Sequence, residues 1–175
     1  MGEKRSPGYH MRKQEKEITD PEELEKVLLG QRAATIAMCR DGEPYLVTLN
    51  YAYSPENRCL LFHCATEGKK LDLIKANPRV WGQIVEDRGY AQGQCDHHFR
   101  SVHFWGTAGI ITDPAEKRAA LSLLIERHEP EPEKMKQRLL GDAKLDDVAV
   151  VRITLEGMSG KSNPKPAPRR SGATP

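Results

Sequence analysis

The chain has 175 residues, 38% hydrophobic and 30% charged, a composition that suits one domain with a modest core. Its 27 basic and 25 acidic side chains leave a formal net charge of +2, so no global field draws it to nucleic acid and any anion site has to be local. No apolar run reaches the roughly 18 residues of a membrane span, and Met1-Gly2-Glu3-Lys4-Arg5 lacks the apolar stretch of an export signal, so a cytoplasmic protein is expected.

Residues 1–16 alternate basic and acidic charge with no apolar period and read as a flexible N-terminal arm. Residues 17–160 then read as one folded domain. Its first helix is signalled by Asp20 as N-cap, Pro21 at the first helical position and Glu23 completing a capping-box-like arrangement. Leu24, Val27 and Leu28 form its apolar stripe and Gly30 ends it. A strand over Ala33–Cys39 leads to the hairpin turn Asp41-Gly42 and a second strand over Tyr45–Tyr53. In that strand Tyr45, Val47, Leu49, Tyr51 and Tyr53 share one face, while Leu46, Thr48, Asn50 and Ala52 share the other.

A turn at Ser54-Pro55-Glu56-Asn57 precedes a third strand over Cys59–Ala65. A short helix follows, capped by Thr66, with Leu71 and Ile74 inward and Asn77-Pro78 as its stop. Further strands are expected over Val80–Val85, His98–Ile111 and Val148–Leu155. Between the last two, Asp113-Pro114-Ala115-Glu116 opens a helix that turns Ala119, Leu123 and Ile125 inward. Six strands with hairpin turns and few helices predict a mainly β chain, an antiparallel barrel. No GxGxxG and no alternation of strand and helix point to a dinucleotide fold. Lys161–Pro175, a Pro/Arg-rich tail containing Arg169-Arg170, is expected to stay solvated.

Cys39, Cys59, Cys64 and Cys95 form no CxxC pair, and free buried thiols are expected. Cys95-Asp96-His97-His98, with His103 nearby, is a poor metal pattern, because adjacent strand residues point to opposite faces; it reads as a polar loop entering a strand. Tyr51, Tyr53, Phe62, Phe104 and Trp105 can make a stacking platform, but a barrel core or dimer interface accounts for most of them.

The segment Leu60–Val80 is the odd one. Lys69 and Lys70 fall in the first turn of a helix, the end that already carries a partial positive charge. A docked anion would reverse that penalty, and Gly68 would allow its close approach. A solvated charged face, partly offset by Glu67, is the plainer alternative.

The run His63-Cys64-Ala65-Thr66-Glu67-Gly68-Lys69-Lys70-Leu71-Asp72, followed by Asn77-Pro78-Arg79-Val80, resembles the pyridoxamine 5′-phosphate oxidase-like superfamily, and within it the nitroimidazole-resistance (Nim) branch. Gly42-Glu43-Pro44-Tyr45, Val47-Thr48-Leu49-Asn50-Tyr51, Arg100-Ser101-Val102, Gly106-Thr107-Ala108 and Asp113-Pro114 match in order, over roughly residues 12–160. The resemblance implies a six-stranded FMN-binding split barrel, a homodimer with its flavin sites at the subunit interface, and reduction of a small, nitroaromatic-type substrate. It implies that Lys69 and Lys70 hold the FMN phosphate with Ala65, Thr66 and Gly68 beside them. Thr48, Leu49 and Asn50 would line the ring, His63 and Cys64 would sit near ring or ribityl chain, and Arg100, Ser101 and Trp105 would approach from the partner subunit. His63 is the candidate proton donor, since an imidazole titrates near neutrality.

Thr48 stands where the true pyridoxamine phosphate oxidases have an arginine, and the Lys161–Pro175 tail is unlike their substrate-binding end, which argues against vitamin B6 chemistry. FAD in place of FMN is left open. So is a non-catalytic protein storing or sensing flavin or haem on the same barrel, with His63, His97, His98 and His103 as possible axial ligands. No nucleic acid, membrane or metal ion is expected as a partner.

Overall fold

The structure is a computed structural model and describes residues 11–140 and 145–163. The expected arm and tail fall largely outside these residues, Arg169-Arg170 included. Among these residues eight strands form one antiparallel sheet: β1 (Glu17–Ile18), β2 (Ala33–Arg40), β3 (Glu43–Asn50), β4 (Ala52–Ser54), β5 (Cys59–Cys64), β6 (Arg79–Ala91), β7 (Asp96–Ile110) and β8 (Ala149–Asn163). The strand order is β3-β2-β6-β7-β8-β5-β4, with β1 pairing β8. This is the mainly β split barrel, with more and longer strands than expected.

The expected second strand is cut at Tyr51, which separates β3 from β4 and buries its ring with its hydroxyl donating to the Leu28 carbonyl at 2.6 Å. The Asp41-Gly42 turn has φ of 52° and 83°, as a two-residue hairpin of this twist requires. β8 runs on to Asn163, into the expected tail, because β7 and β1 both supply partners: Lys161 lies opposite Ser101 and Glu17. Glu156 is an extra residue in that ladder, since Trp105 pairs with Gly157 and Gly106 with Leu155.

Among the described residues four α-helices accompany the sheet: α1 (Pro21–Gly30), α2 (Lys69–Ala76), α3 (Pro114–His128) and α4 (Pro132–Leu140). Asp20 and Asp113 cap α1 and α3, accepting from the N–H groups of Glu22 and Glu116 at 2.9 and 2.7 Å. Glu23 takes no part in a capping box; its carboxylate pairs with Lys26 and Arg100. Leu24, Val27 and Leu28 of α1 are buried as expected. The inward stripe of α3 is Ala120, Leu121 and Leu124, with Leu123 and Ile125 on its flanks and Ala119 exposed. It is rotated from the expected Ala119–Leu123–Ile125 face because α4 packs beside α3 while α3 covers β4, β5 and β8.

Two apolar clusters result. The barrel core holds Tyr51, Tyr53, Phe62, Phe104 and Val102 among others, and a second cluster under α3 holds Ala52, Cys59, Leu61 and Val150. Cys59 is buried and Cys64 half-buried, but Cys39 and Cys95 are exposed, because they stand at the end of β2 and at the tip of the β6–β7 hairpin, where Cys95 has φ of 48°. No described helix is long and apolar enough to cross a membrane.

Candidate functional site

β5 lies between the two interiors and divides its side chains between them. Leu60, Phe62 and Cys64 face the barrel core, whereas Cys59 and Leu61 face α3. The period of two therefore sends His63 and Cys64 to opposite sides of the sheet. His63 is exposed on the α3 side; burial pushes the Cys64 thiol up, partly offset by the positive charge of Lys70. Of this adjacent pair, only His63 faces open space.

Ala65, Thr66 and Glu67 are exposed and lead to Gly68 at φ of 133°. A Cβ at Gly68 would meet nothing, so the backbone conformation and not crowding selects glycine. The Gly68 carbonyl accepts from the N–H groups of Leu71 and Asp72 at 2.9 and 3.3 Å, and no side chain caps α2. Thr66, the expected cap, stands two residues too early. The N–H groups of Lys69 and Lys70 are among those that a helix start leaves without an intrahelical partner. Lys69 Nζ lies 4.9 Å from the centre of the Tyr45 ring, and Lys70 is close enough to act on the Cys64 thiol. A cleft of about 500 Å³ between the β2–β3 hairpin and α2 is lined by Arg40, Tyr45 and Lys69, with Asp41, Glu43 and Asp72 on its acidic side. Lys69 and the free N–H groups of the helix start lie at this corner, with Lys70 nearer Cys64. The helix dipole and these groups have the sign that suits a phosphate, while three carboxylates line the same cleft.

The outer sheet face supplies flat, hydrogen-bonding surface. Thr48 lies opposite Thr35, Thr35 opposite Gln83, Gln83 opposite His103, and His103 opposite Ser159. The Thr48 and Thr35 hydroxyls are 3.0 Å apart, and the Gln83 amide is 3.2 Å from His103 Nε2. Burial holds the His103 imidazole below its ordinary value, which favours the neutral ring. The neighbouring row holds Leu46, Ala37, Trp81 and Trp105, with the two indoles stacked at 5.0 Å. Leu46, Trp81 and Val85 are among the exposed large hydrophobics. Leu49 points the other way, toward the core, and offers a ligand only its backbone.

Arg100 and Ser101 do not act together. Arg100 lies on the inward side of β7, where its guanidinium donates to Glu86 at 2.5 Å and to Glu23 at 3.0 Å, closing one end of the barrel. Burial works against the Glu86 carboxylate, but hydrogen bonds from Arg100 and Arg88 outweigh it and hold its carboxyl below the ordinary value. Ser101 is buried on the outward side with Trp105.

A second cavity, about 420 Å³, lies where the ends of β3 and β5 meet α3 and α4. Asn50 and His63 line it from the barrel; Leu121, Leu124, Ile125, Leu139, Leu140, Leu145 and Val148 form its apolar wall. His128, Glu129 and Asp147 also line it. The sequence reading did not single out these three: His128 and Glu129 close α3, and the wall depends on α4, which carries mostly polar residues. His97 pairs with Asp87 at 2.8 Å and His98 is buried, and among the described residues no group of three or more ligating side chains converges on a metal position.

The sequence model of the family described as pyridoxamine 5′-phosphate oxidase matches residues 20–162. Among curated proteins, an uncharacterized protein RA0666 of Rhizobium meliloti (strain 1021) is 40% identical over 69 residues, which are 39% of this chain and 44% of that relative. Among solved structures, a FAD-binding protein from Mesorhizobium loti is 29% identical with a TM-score of 0.60, over 82% of this chain and 95% of that one. A candidate 5-nitroimidazole antibiotic resistance protein from Bacteroides thetaiotaomicron VPI-5482 is 22% identical, TM-score 0.64, over 83% and 85%. The flavocytochrome Anf3 from Azotobacter vinelandii is 17% identical, TM-score 0.77, over 92% and 75%. The last two likenesses speak to the fold alone.

Proposed function

This chain belongs to the pyridoxamine 5′-phosphate oxidase family, and from that premise we propose that it is an FMN-dependent oxidoreductase acting on a small oxidised substrate of nitroaromatic type. The carrying observation is the start of α2, where Gly68 holds φ of 133°, no side chain caps the helix, and Lys69 and Lys70 stand in its first turn. Those N–H groups and ammonium groups would hold the flavin phosphate. Thr48, Thr35 and Gln83 would meet the polar edge of the ring, with Asn50 and the exposed His63 beyond them. When bound, the flavin supplies the electron-transfer chemistry. The protein's part would be to anchor, orient and shield it, and the exposed His63 would serve as proton donor at the ring's open side. The FAD-binding character of the Mesorhizobium loti relative supports flavin as the cofactor class.

The reading includes a homodimer with the flavin between subunits. Its support is the outer sheet face, where Leu46, Trp81 and Val85 are 65%, 40% and 44% exposed on a polar-rimmed surface. Trp81→Glu should give a monomer by light scattering and lower flavin retention; a variant that stays dimeric places the interface elsewhere.

The direct test replaces Lys69 and Lys70 together by alanine and titrates FMN by fluorescence quenching. Loss of two charge-assisted contacts, each about 1.5–3 kcal/mol, predicts roughly 100-fold or greater weakening. Unchanged affinity refutes the phosphate assignment. Non-catalytic flavin or haem binding is the second reading, favoured by the presence of two imidazoles, His63 and His128, on one cavity. The visible spectrum as purified separates flavin bands from a Soret band, and electron-acceptor turnover separates catalysis from storage.

A further inference from the structure

We propose that the cavity between β5 and the α3–α4 pair binds a small ring compound carrying a protonated or N–H-donating nitrogen, and disfavours anions. No wall of this cavity includes Lys69 or Lys70, and it shares only Asn50 and His63 with the residues set beside the flavin ring. Its volume, about 420 Å³, falls in the range of small-molecule sites, and its lining is mostly aliphatic with a few polar groups, as such sites require. The aliphatic wall comes from several elements: Leu121, Leu124 and Ile125 from α3, Leu139 and Leu140 from α4, and Val148 from the start of β8's approach.

The polar groups set the sign of the ligand. Glu129 and Asp147 bring two carboxylates, and neither has an ion-pair partner among the described residues. His128 Nε2 lies 2.9 Å from the Tyr51 carbonyl oxygen. A carbonyl only accepts, so Nε2 carries the proton and Nδ1 is left as an acceptor in the neutral ring. Asn50 and His63 can either donate or accept. Among the described residues no lysine or arginine lines the cavity. The site is therefore rich in acceptors and negative charge, and a ligand carboxylate or phosphate would enter it against two like charges.

Three naphthalene probes matched in ring test the sign: 1-naphthylmethylamine, 1-naphthalenemethanol and 1-naphthoate, titrated calorimetrically into the protein as purified, with its flavin content recorded. The amine should bind once per chain, and 1-naphthoate at least tenfold more weakly. Glu129→Gln with Asp147→Asn should erase the amine's advantage over the alcohol. Leu139, 46% exposed on the lip, can be enlarged with little effect on folding; Leu139→Trp should weaken all binding at least tenfold while the thermal melt is kept. Ile125→Trp provides a second filling variant. Any of four results overturns the proposal. They are equal binding of 1-naphthoate, no binding of any probe, amine affinity unchanged in both filling variants, and a Soret band abolished by His63→Ala or His128→Ala. Loss of flavin in the Lys69/Lys70 variant with probe binding intact would show that the two readings are separate.

Discussion

Arg100 holds two carboxylates from different elements, Glu23 on α1 and Glu86 on β6, and its side chain is 19% exposed. That pairing spends its charge on structure and leaves Ser101, His103 and Trp105 to represent β7 on the outer face. Because the Glu86 carboxyl is held below its ordinary value near 4.5, its contribution to stability is complete above that value. It is lost as pH falls through the lower folded value. Glu86→Gln should therefore flatten the acid limb of the melting temperature between about pH 6 and about pH 3, while leaving the neutral region the less stable of the two proteins. An unchanged acid limb would show that the Arg100 pairs add nothing to stability.

Glycine sets the packing of the long strands. A Cβ on Gly157 would lie 2.2 Å from the Trp105 ring, which covers that position and in turn stacks on Trp81. Gly157→Ala should displace the indole, cost roughly 1–3 kcal/mol in urea unfolding, and weaken the near-ultraviolet signal of the tryptophan pair. Elements with local chemistry were legible in the sequence. Asp20-Pro21, Asp113-Pro114 and Asp41-Gly42 each dictate a cap or turn within a few residues, and each appears in place. α4 was not, because Pro132–Leu140 is short and mostly polar and buries only Leu140, although its few apolar residues share one face. The second half of β8 was not either. Gly157, Gly160 and the serines around them read as loop, and only pairing with β7 and β1 makes them strand. The same division holds at the site: Lys69, Lys70 and the period that separates His63 from Cys64 can be read from spacing. The cavity under α3 cannot, since its walls come together only through α4.

At the scale of the molecule, the barrel was legible as a class but its closure was not. The sheet path ends at β3 on one side and β4 on the other, and these two edges are joined in the chain by Tyr51 alone. Tyr51 also donates its N–H to the Arg32 carbonyl and its hydroxyl to Leu28, and accepts at its carbonyl from His128. The seam is thus shut by a covalent link pinned to α1 and α3, not by a ladder of hydrogen bonds between edges. A cylinder closed by one stitch is indifferent to most cuts and intolerant of one. The chain's described ends already lie side by side, with Glu17 opposite Lys161, so they can be joined by a linker. A circular permutant opened at the Gly93 hairpin tip should fold and melt cooperatively, whereas one opened between Asn50 and Ala52 should unroll into an open sheet. Comparison of their thermal transitions would locate the barrel's closure in that single residue.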